Sequence, residues 1–212
     1  MDGWTPPAGH AGRWILACAG GLALGMALGA LWNALLLPAA LPGLAGPFAA
    51  APAALGGAVM GACLGLAQAW ALRPAYRGLP VAGWVGMSAA AGFLAALVVT
   101  LAFPLLTAGA EGLPVMAFVL GGAVVKGVAS GLAFGALQGR VLARVVAERA
   151  SWGRVVLLGW LLGALLASMR WVLLPPSREP MGLVSGALLG GAVEGLALGL
   201  VTAGVFRFMP PR

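Results

Sequence analysis

Six long apolar stretches run along the chain, separated by short segments rich in proline, glycine or arginine. They fall at about residues 12–37, 48–72, 81–107, 115–140, 152–174 and 181–206. A helix rises about 1.5 Å per residue, so each stretch is long enough to cross roughly 30 Å of hydrocarbon. No segment between the stretches is long enough for a soluble domain. The pattern predicts an all-α integral membrane bundle of six transmembrane helices, with residues 1–212 forming a single transmembrane domain.

Composition excludes the other broad classes of protein. The chain is 62% hydrophobic and 8% charged, against about 45–50% and 25% in an average soluble domain. A soluble fold of this size cannot cover its surface with so few charges. Disorder is excluded by the same apolar content. The lipid bilayer is therefore the expected environment of the chain.

The distribution of basic residues predicts the orientation in the membrane. The formal net charge is +7, but the basic residues stand one or two at a time between apolar runs, which is typical of membrane orientation and argues against a nucleic-acid partner. One side of the predicted membrane carries only Arg170 and Arg178, with Glu111 and Glu179 nearby. The other side carries Arg13, Arg73, Arg77, Arg140, Arg144, Arg149, Arg154, Arg207 and Arg212. The positive-inside rule therefore predicts that both termini are cytoplasmic.

An internal repeat divides the chain into three parts. The string Gly-Gly-Ala-Val occurs at 56–59, 121–124 and 190–193, each time opening an even-numbered helix with glycine at every fourth position. Each odd-numbered helix begins with a tryptophan, and each even-numbered helix carries a polar residue toward its cytoplasmic end. We expect three helical hairpins of equal orientation, at about 12–73, 81–144 and 152–207. The alternative is that a glycine- and alanine-rich chain produces such matches by chance.

Glycine at every fourth position forms a flat stripe on one helix face, so that a neighbouring helix can approach closely. A further stripe lies on the first helix, and together they predict a tight bundle with a narrow centre. The predicted packing glycines are Gly21, Gly25, Gly29, Gly57, Gly61, Gly65, Gly127, Gly131, Gly135, Gly191, Gly195 and Gly199. The repeated tryptophans, Trp14, Trp84 and Trp152, are predicted to anchor the helices at the headgroup level, where indole is enriched.

The first repeat carries a recognisable motif. Residues 65–73 read Gly-x-x-Gln-Ala-Trp-Ala-Leu-Arg, and Gly83-Trp84 follows. This resembles a loose group of uncharacterised bacterial multi-pass membrane proteins that repeat a Gly-x-x-Gln-Trp-x-x-Leu-Arg hairpin followed by Gly-Trp. The later repeats depart from the motif, with Thr202 where glutamine is expected. The resemblance implies a bacterial cytoplasmic (inner) membrane and no particular activity.

Two full charges are predicted near the middle of the membrane. Lys126 lies fourteen residues before Arg140, and Glu194 lies thirteen before Arg207, on helices that run in the same direction. They are therefore expected at similar depth, where each needs a partner or water. An ion pair that fixes helix register is one interpretation. A role in transport or proton relay is another, and a partner from a second subunit or a lipid is the third.

Other polar residues near the membrane have simpler interpretations. Arg170 lies near the outer end of the fifth helix, where its side chain can extend to the headgroups or contact anionic lipid. Gln68, Gln138 and Thr202 are predicted to form polar contacts between helices near the cytoplasmic end. Ligation of a chlorin magnesium by the glutamines is a further alternative.

Few residues suggest catalysis. The chain has one histidine, His10, before the first apolar run, and its two cysteines, Cys18 and Cys63, lie inside apolar runs. These do not supply a catalytic triad, a disulfide framework, a haem site or a metal site, so we expect no enzyme and no cofactor. The glycine-rich faces and short loops favour a non-catalytic accessory or scaffold subunit that packs against other membrane-protein subunits or pigment–protein complexes. The alternative is a small membrane transporter or channel that uses Lys126 and Glu194.

Overall fold

The computed structural model describes residues 4–41, 49–108, 114–148, 151–170 and 179–212. Within these ranges the chain is helical and contains no strand, which confirms the all-α prediction. The helices are α1 (His10–Leu31), α2 (Ala50–Leu72), α3 (Val81–Ala108), α4 (Val115–Leu142), α5 (Trp152–Ser168) and α6 (Pro180–Ala203). A π-helical turn (Trp32–Leu36) and a short helix (Leu37–Ala40) extend α1, and a 3₁₀ helix (Gly204–Phe208) follows α6.

Five of these helical segments are long and apolar enough to cross a membrane. They are His10–Ala40, Ala50–Leu72, Val81–Ala108, Val115–Leu142 and Pro180–Phe208. The remaining helix, α5, is apolar but spans 17 residues, or about 26 Å at 1.5 Å per residue. Its predicted continuation to residue 174 runs into residues 171–178, which lie outside the described residues.

The six helices form a closed ring in chain order. Each helix packs against the next one along the chain, and α6 packs against α1. One end of the ring holds the starts of α1, α3 and α5 together with the ends of α2, α4 and α6, and we call it the termini end. The opposite end is called the far end. The predicted loop residues Glu111, Arg149 and Arg178 lie outside the described residues.

Glycine makes the close helix contacts of the ring possible. All twelve glycines singled out in the sequence lie against a neighbouring helix, so that a Cβ atom on any of them would press against that neighbour. A Cβ at Gly131, for example, would lie 2.6 Å from the Cα of Leu157 on α5. The stripe of α1 faces α2, that of α2 faces α3, that of α4 faces α5 and that of α6 faces α1. Sequence analysis missed Gly159 and Gly163 of α5, which face α6.

The outer surface of the ring is strongly apolar. Large aliphatic side chains stand exposed along it, with Leu16 at 70% and Leu105 at 77% of full exposure. Exposed apolar patches of this extent are rare on soluble monomers. A hydrocarbon environment, in which the helices satisfy their own backbone hydrogen bonds, fits this surface.

Candidate functional site

The interior of the termini end is filled by aromatic side chains. Trp14, Trp84 and Trp152 are buried, and both Trp14 and Trp84 lie with ring centroids 6.2 Å from that of Trp152. Phe206 packs edge-on against Trp14 at 4.9 Å. This corrects the prediction that the three tryptophans anchor the helices at the headgroups. They turn inward because their large rings fill the space where α1, α3 and α5 converge, in the tilted and edge-to-face arrangements that aromatic pairs prefer.

A buried polar network crosses the ring above this aromatic cluster. Gln138 Nε2 of α4 donates to Gln68 Oε1 of α2 at 2.8 Å and to Ser88 Oγ of α3 at 3.0 Å. The Gln68 Nε2 group in turn lies 3.5 Å from Cys18 Sγ of α1. Ser88 was missed in the sequence, where it carries no signal beyond its polarity. The network joins four helices and gives each glutamine a hydrogen-bond partner, without which the burial of an amide is costly.

Thr202 lies apart from the two glutamines. It accepts a hydrogen bond of 2.7 Å from Trp14 Nε1 and donates to the Leu198 carbonyl at 2.6 Å. The three polar residues predicted as one group are therefore divided between two sets of contacts. Thr202 links α6 to α1, whereas the glutamines link α2 to α4.

The C-terminal segment closes the termini end. Phe206 and Met209 are fully buried, and Tyr76 Oη donates to the Met209 carbonyl at 2.9 Å. Residues 210–212 then pair with residues 145–147, as Ala147 N–H donates to the Pro210 carbonyl and Arg212 N–H donates to the Val145 carbonyl. Burial raises the pKa of Tyr76 above its usual value of 10.0. Among the residues that the structure describes, these side chains fill the ring at this end.

The two intramembrane charges are in contact. Lys126 Nζ of α4 donates to Glu194 Oε2 of α6 at 2.5 Å. Helices α4 and α6 are not neighbours in the ring, so the ion pair connects them across the interior, past α5. Gly163 of α5 lies against the Glu194 backbone. The Glu194 side chain is fully buried, whereas the Lys126 side chain is 32% exposed. The second carboxylate oxygen, Glu194 Oε1, accepts no hydrogen bond from any described residue.

Arg170 lies toward the interior of the far end. Its guanidinium packs over the α6 backbone, 3.1 Å from where a Cβ of Gly186 or of Gly190 would stand. The guanidinium is close enough to the Glu194 carboxylate to interact with it electrostatically. The sequence predicted that this side chain extends to the outer headgroups, and the structure corrects that prediction. The two glycines allow the inward position because they leave room for the guanidinium on the face of α6.

A cavity of about 590 Å³ lies beside the ion pair, toward the far end. Five helices line it, and three of its described lining residues are polar: Lys126, Ser168 and Arg170. The apolar lining residues are Met26, Val99, Phe103, Leu106, Val115, Phe118, Val119, Gly122, Ala123, Ala164, Ala167 and Gly190. The described lining of the cavity is therefore mainly apolar, and its two charged residues are basic. Its volume falls within the range of about 300–1,000 Å³ typical of small-molecule sites.

Comparison of the chain with protein-family models, with curated proteins and with solved structures finds no match. The function is therefore inferred from the geometry of the cavity and its charges. Within the described part of the chain, no group of three or more His, Cys, Asp or Glu side chains is placed to hold a metal ion. Binding at the cavity would use hydrogen-bond donors, positive charge and apolar contact.

Proposed function

We propose that the protein is a non-catalytic membrane transporter that takes up a small molecule in the cavity beside Lys126 and Glu194. The observation that carries this proposal is the cavity itself, which lies directly against an intramembrane ion pair. Ionisable groups in a membrane interior cost several kcal/mol and commonly mark substrate or ion pathways. An ion pair that only fixed helix register would need no accessible volume beside its lysine.

Closure of the termini end favours a carrier over an open channel. The tryptophan cluster, the glutamine network and the C-terminal segment together fill the described interior on that side of the ion pair. Two helix irregularities lie on the other side, the π-helical turn Trp32–Leu36 after α1 and Pro104 within α3. Such irregularities are common hinge positions in helices. We propose that they allow the far end to open and close around the cavity.

An accessory or scaffold subunit is the second candidate. It is weakened because the glycine stripes that suggested it contact helices of the same chain. It is favoured by a groove of about 410 Å³ on the outer face, between α1 and α2. The exposed side chains of Leu16 and Trp70 border this groove, where a helix of another membrane protein would find an apolar surface.

We further propose six spans arranged as three hairpin repeats of equal orientation, in the bacterial inner membrane with both termini cytoplasmic. The tryptophan cluster supports the repeat, because equivalent residues of the three hairpins meet there. The cyclic arrangement of the glycine stripes on α2, α4 and α6 also supports it, since each stripe faces the next odd-numbered helix around the ring. The arginines of the described termini end support the orientation. They are Arg13, Arg73, Arg77, Arg140, Arg144, Arg154, Arg207 and Arg212.

Native mass spectrometry of the protein, extracted with its surrounding lipid, separates the two candidate functions. The variant Gly122→Leu places a large side chain in the cavity, because Gly122 lines it and a Cβ there meets no atom within 4 Å. The matched control is Gly121→Leu, where a Cβ is equally unobstructed but the residue does not line the cavity. We expect a bound small molecule on the wild type and on the control, and its loss from Gly122→Leu. A stoichiometric protein subunit with no bound small molecule would instead support the accessory role.

A further inference from the structure

We propose that the ligand of this cavity is an amphipathic organic anion, with a carboxylate or phosphate head held by Lys126 and an apolar body along the cavity walls. This inference rests on the proposed function, since it names the class of molecule that the cavity takes up. The class of ligand follows from which residue of the ion pair lines the cavity and from the apolar side chains of the cavity walls.

The exposure of the two charged partners decides the sign of the ligand. The Glu194 side chain is fully buried, whereas the Lys126 side chain is 32% exposed and Lys126 lines the cavity, so Lys126 is the member of the pair that a ligand in the cavity contacts. An ammonium has three N–H donors, and the structure uses one of them for Glu194 Oε2. Among the described residues, the other two donors have no acceptor, so an incoming oxyanion can form short, charge-assisted hydrogen bonds with them.

Arg170 adds a second positive charge to the same cavity. Arg170 and Lys126 both line the cavity, and the Arg170 guanidinium packs against Gly190 of α6, which lines it as well. Among the described residues that line the cavity, Lys126 and Arg170 are basic and none is acidic. This lining favours an anionic ligand over a cationic one, because charge interactions are strong in a region of low dielectric.

The walls determine the rest of the ligand. Beyond the three polar lining residues, the described cavity surface consists of aliphatic, aromatic and glycine positions of α1, α3, α4, α5 and α6. Phe103 of α3 packs edge-to-face against Phe118 of α4, with ring centroids 5.9 Å apart. A small hydrophilic anion would leave this apolar surface uncovered, whereas a chain or ring system gains by burying it. The ligand is therefore charged at one end and apolar along its length.

Glu194 compensates the charge of Lys126 when no ligand is bound. A lone ammonium in the membrane interior is costly, and the carboxylate compensates it at hydrogen-bond distance. When the anion arrives, Lys126 is shared between its head group and Glu194. Glu194 therefore acts as a positioning residue, and Lys126 as the residue that contacts the ligand.

The test uses photoreactive probes that share one apolar tail and differ only in the head group. The heads are a carboxylate, a phosphate, a trimethylammonium and an alcohol, and the protein is in nanodiscs of zwitterionic lipid. In the wild type we expect both anionic probes to label α4 and α5 peptides of the cavity at least about tenfold more than the ammonium probe does, as charge-assisted hydrogen bonds imply. A stronger signal from one anionic probe assigns the head as carboxylate or phosphate.

Three variants place the labelling at the proposed site. Lys126→Met combined with Glu194→Gln removes both charges of the pair, and we expect labelling by the anionic probes to fall toward that by the alcohol probe, with the remaining difference due to Arg170. Gly122→Leu should weaken cavity labelling by all four probes because it reduces the volume of the cavity, whereas Gly121→Leu should leave the wild-type pattern unchanged.

The possible results separate this inference from the proposed function. Equal labelling by all heads, or a preference for the ammonium probe, would overturn the anionic ligand while leaving cavity binding intact. Absence of saturable cavity labelling by every probe would overturn both proposals. The comparison of head groups in the wild type decides the inference even where a variant fails to fold.

Discussion

The contact between α4 and α5 offers a sharp test of the packing, through the substitution Gly131→Ala. The added Cβ would lie 2.6 Å from Leu157 Cα and 2.7 Å from Leu157 Cδ1. Non-bonded carbons prefer separations of about 3.5–4.0 Å, so the two backbones must move apart by roughly 1 Å. A flexible side chain can turn away, but the Leu157 Cα belongs to the helix backbone. Overpacking of this kind costs about 1–3 kcal/mol of unfolding free energy.

The effect of Gly131→Ala is measured as the unfolding free energy in mixed micelles titrated with a denaturing detergent. The control is Gly121→Ala on the same helix, because a Cβ there meets no atom within 4 Å. We expect the Gly131 variant to lose about 1–3 kcal/mol and the control to lose less than about 0.5 kcal/mol. Gly131→Leu should cost more than Gly131→Ala. Equal stability of the Gly131→Ala variant and the control would refute the close approach of α4 and α5.

Three further predictions concern the aromatic core, the closed end and the topology. Trp152→Ala should cost about 3–5 kcal/mol of unfolding free energy because the indole is buried, whereas Trp70→Ala, at a side chain 60% exposed, should change it little. Burial raises the pKa of Tyr76 above 10.0, so the protonated phenol stabilises the fold at lower pH. This stabilisation should be lost as pH rises past about 10, and Tyr76→Phe should weaken the dependence in a pH series of unfolding midpoints. Reporter fusions at residues 78, 110, 148 and 178 should alternate cytoplasmic and external, and two adjacent sites on the same side would contradict six spans.

The helices could be predicted because length and apolar content suffice to identify a segment that crosses hydrocarbon. The side chains that point inward, apart from the glycines, could not be predicted. Lipid is as apolar as the core, so the usual contrast between buried and exposed positions disappears. Trp14, Trp84 and Trp152 illustrate this limit. Their position near one membrane surface suggested anchoring, and only the packing of the ring shows that they turn inward. The packing glycines were recognisable because their spacing itself describes a helix face.

The two charged residues of the candidate site could be predicted from the sequence, but the cavity beside them could not. Lys126 lies fourteen residues and Glu194 thirteen residues before the arginine at its helix end, which indicated a similar depth, and the structure places the two side chains in contact. The cavity arises where small residues such as Gly122, Ala164 and Ala167 come together from different helices. A local sequence pattern does not carry that information, because the empty space depends on how the ring closes. The inward turn of Arg170 depends in the same way on glycines of α6.

A double-mutant cycle on Lys126 and Glu194 measures whether the two charges interact across the ring, and the proposed site depends on that interaction. Unfolding free energies are compared for the wild type, Lys126→Met, Glu194→Gln and the double variant. Removing one partner leaves an uncompensated charge in low dielectric, so each single variant should lose more stability than the double variant. We expect a coupling energy of about 1 kcal/mol or more. Additive effects of the two substitutions would mean that the charges do not meet, and would contradict the site described here.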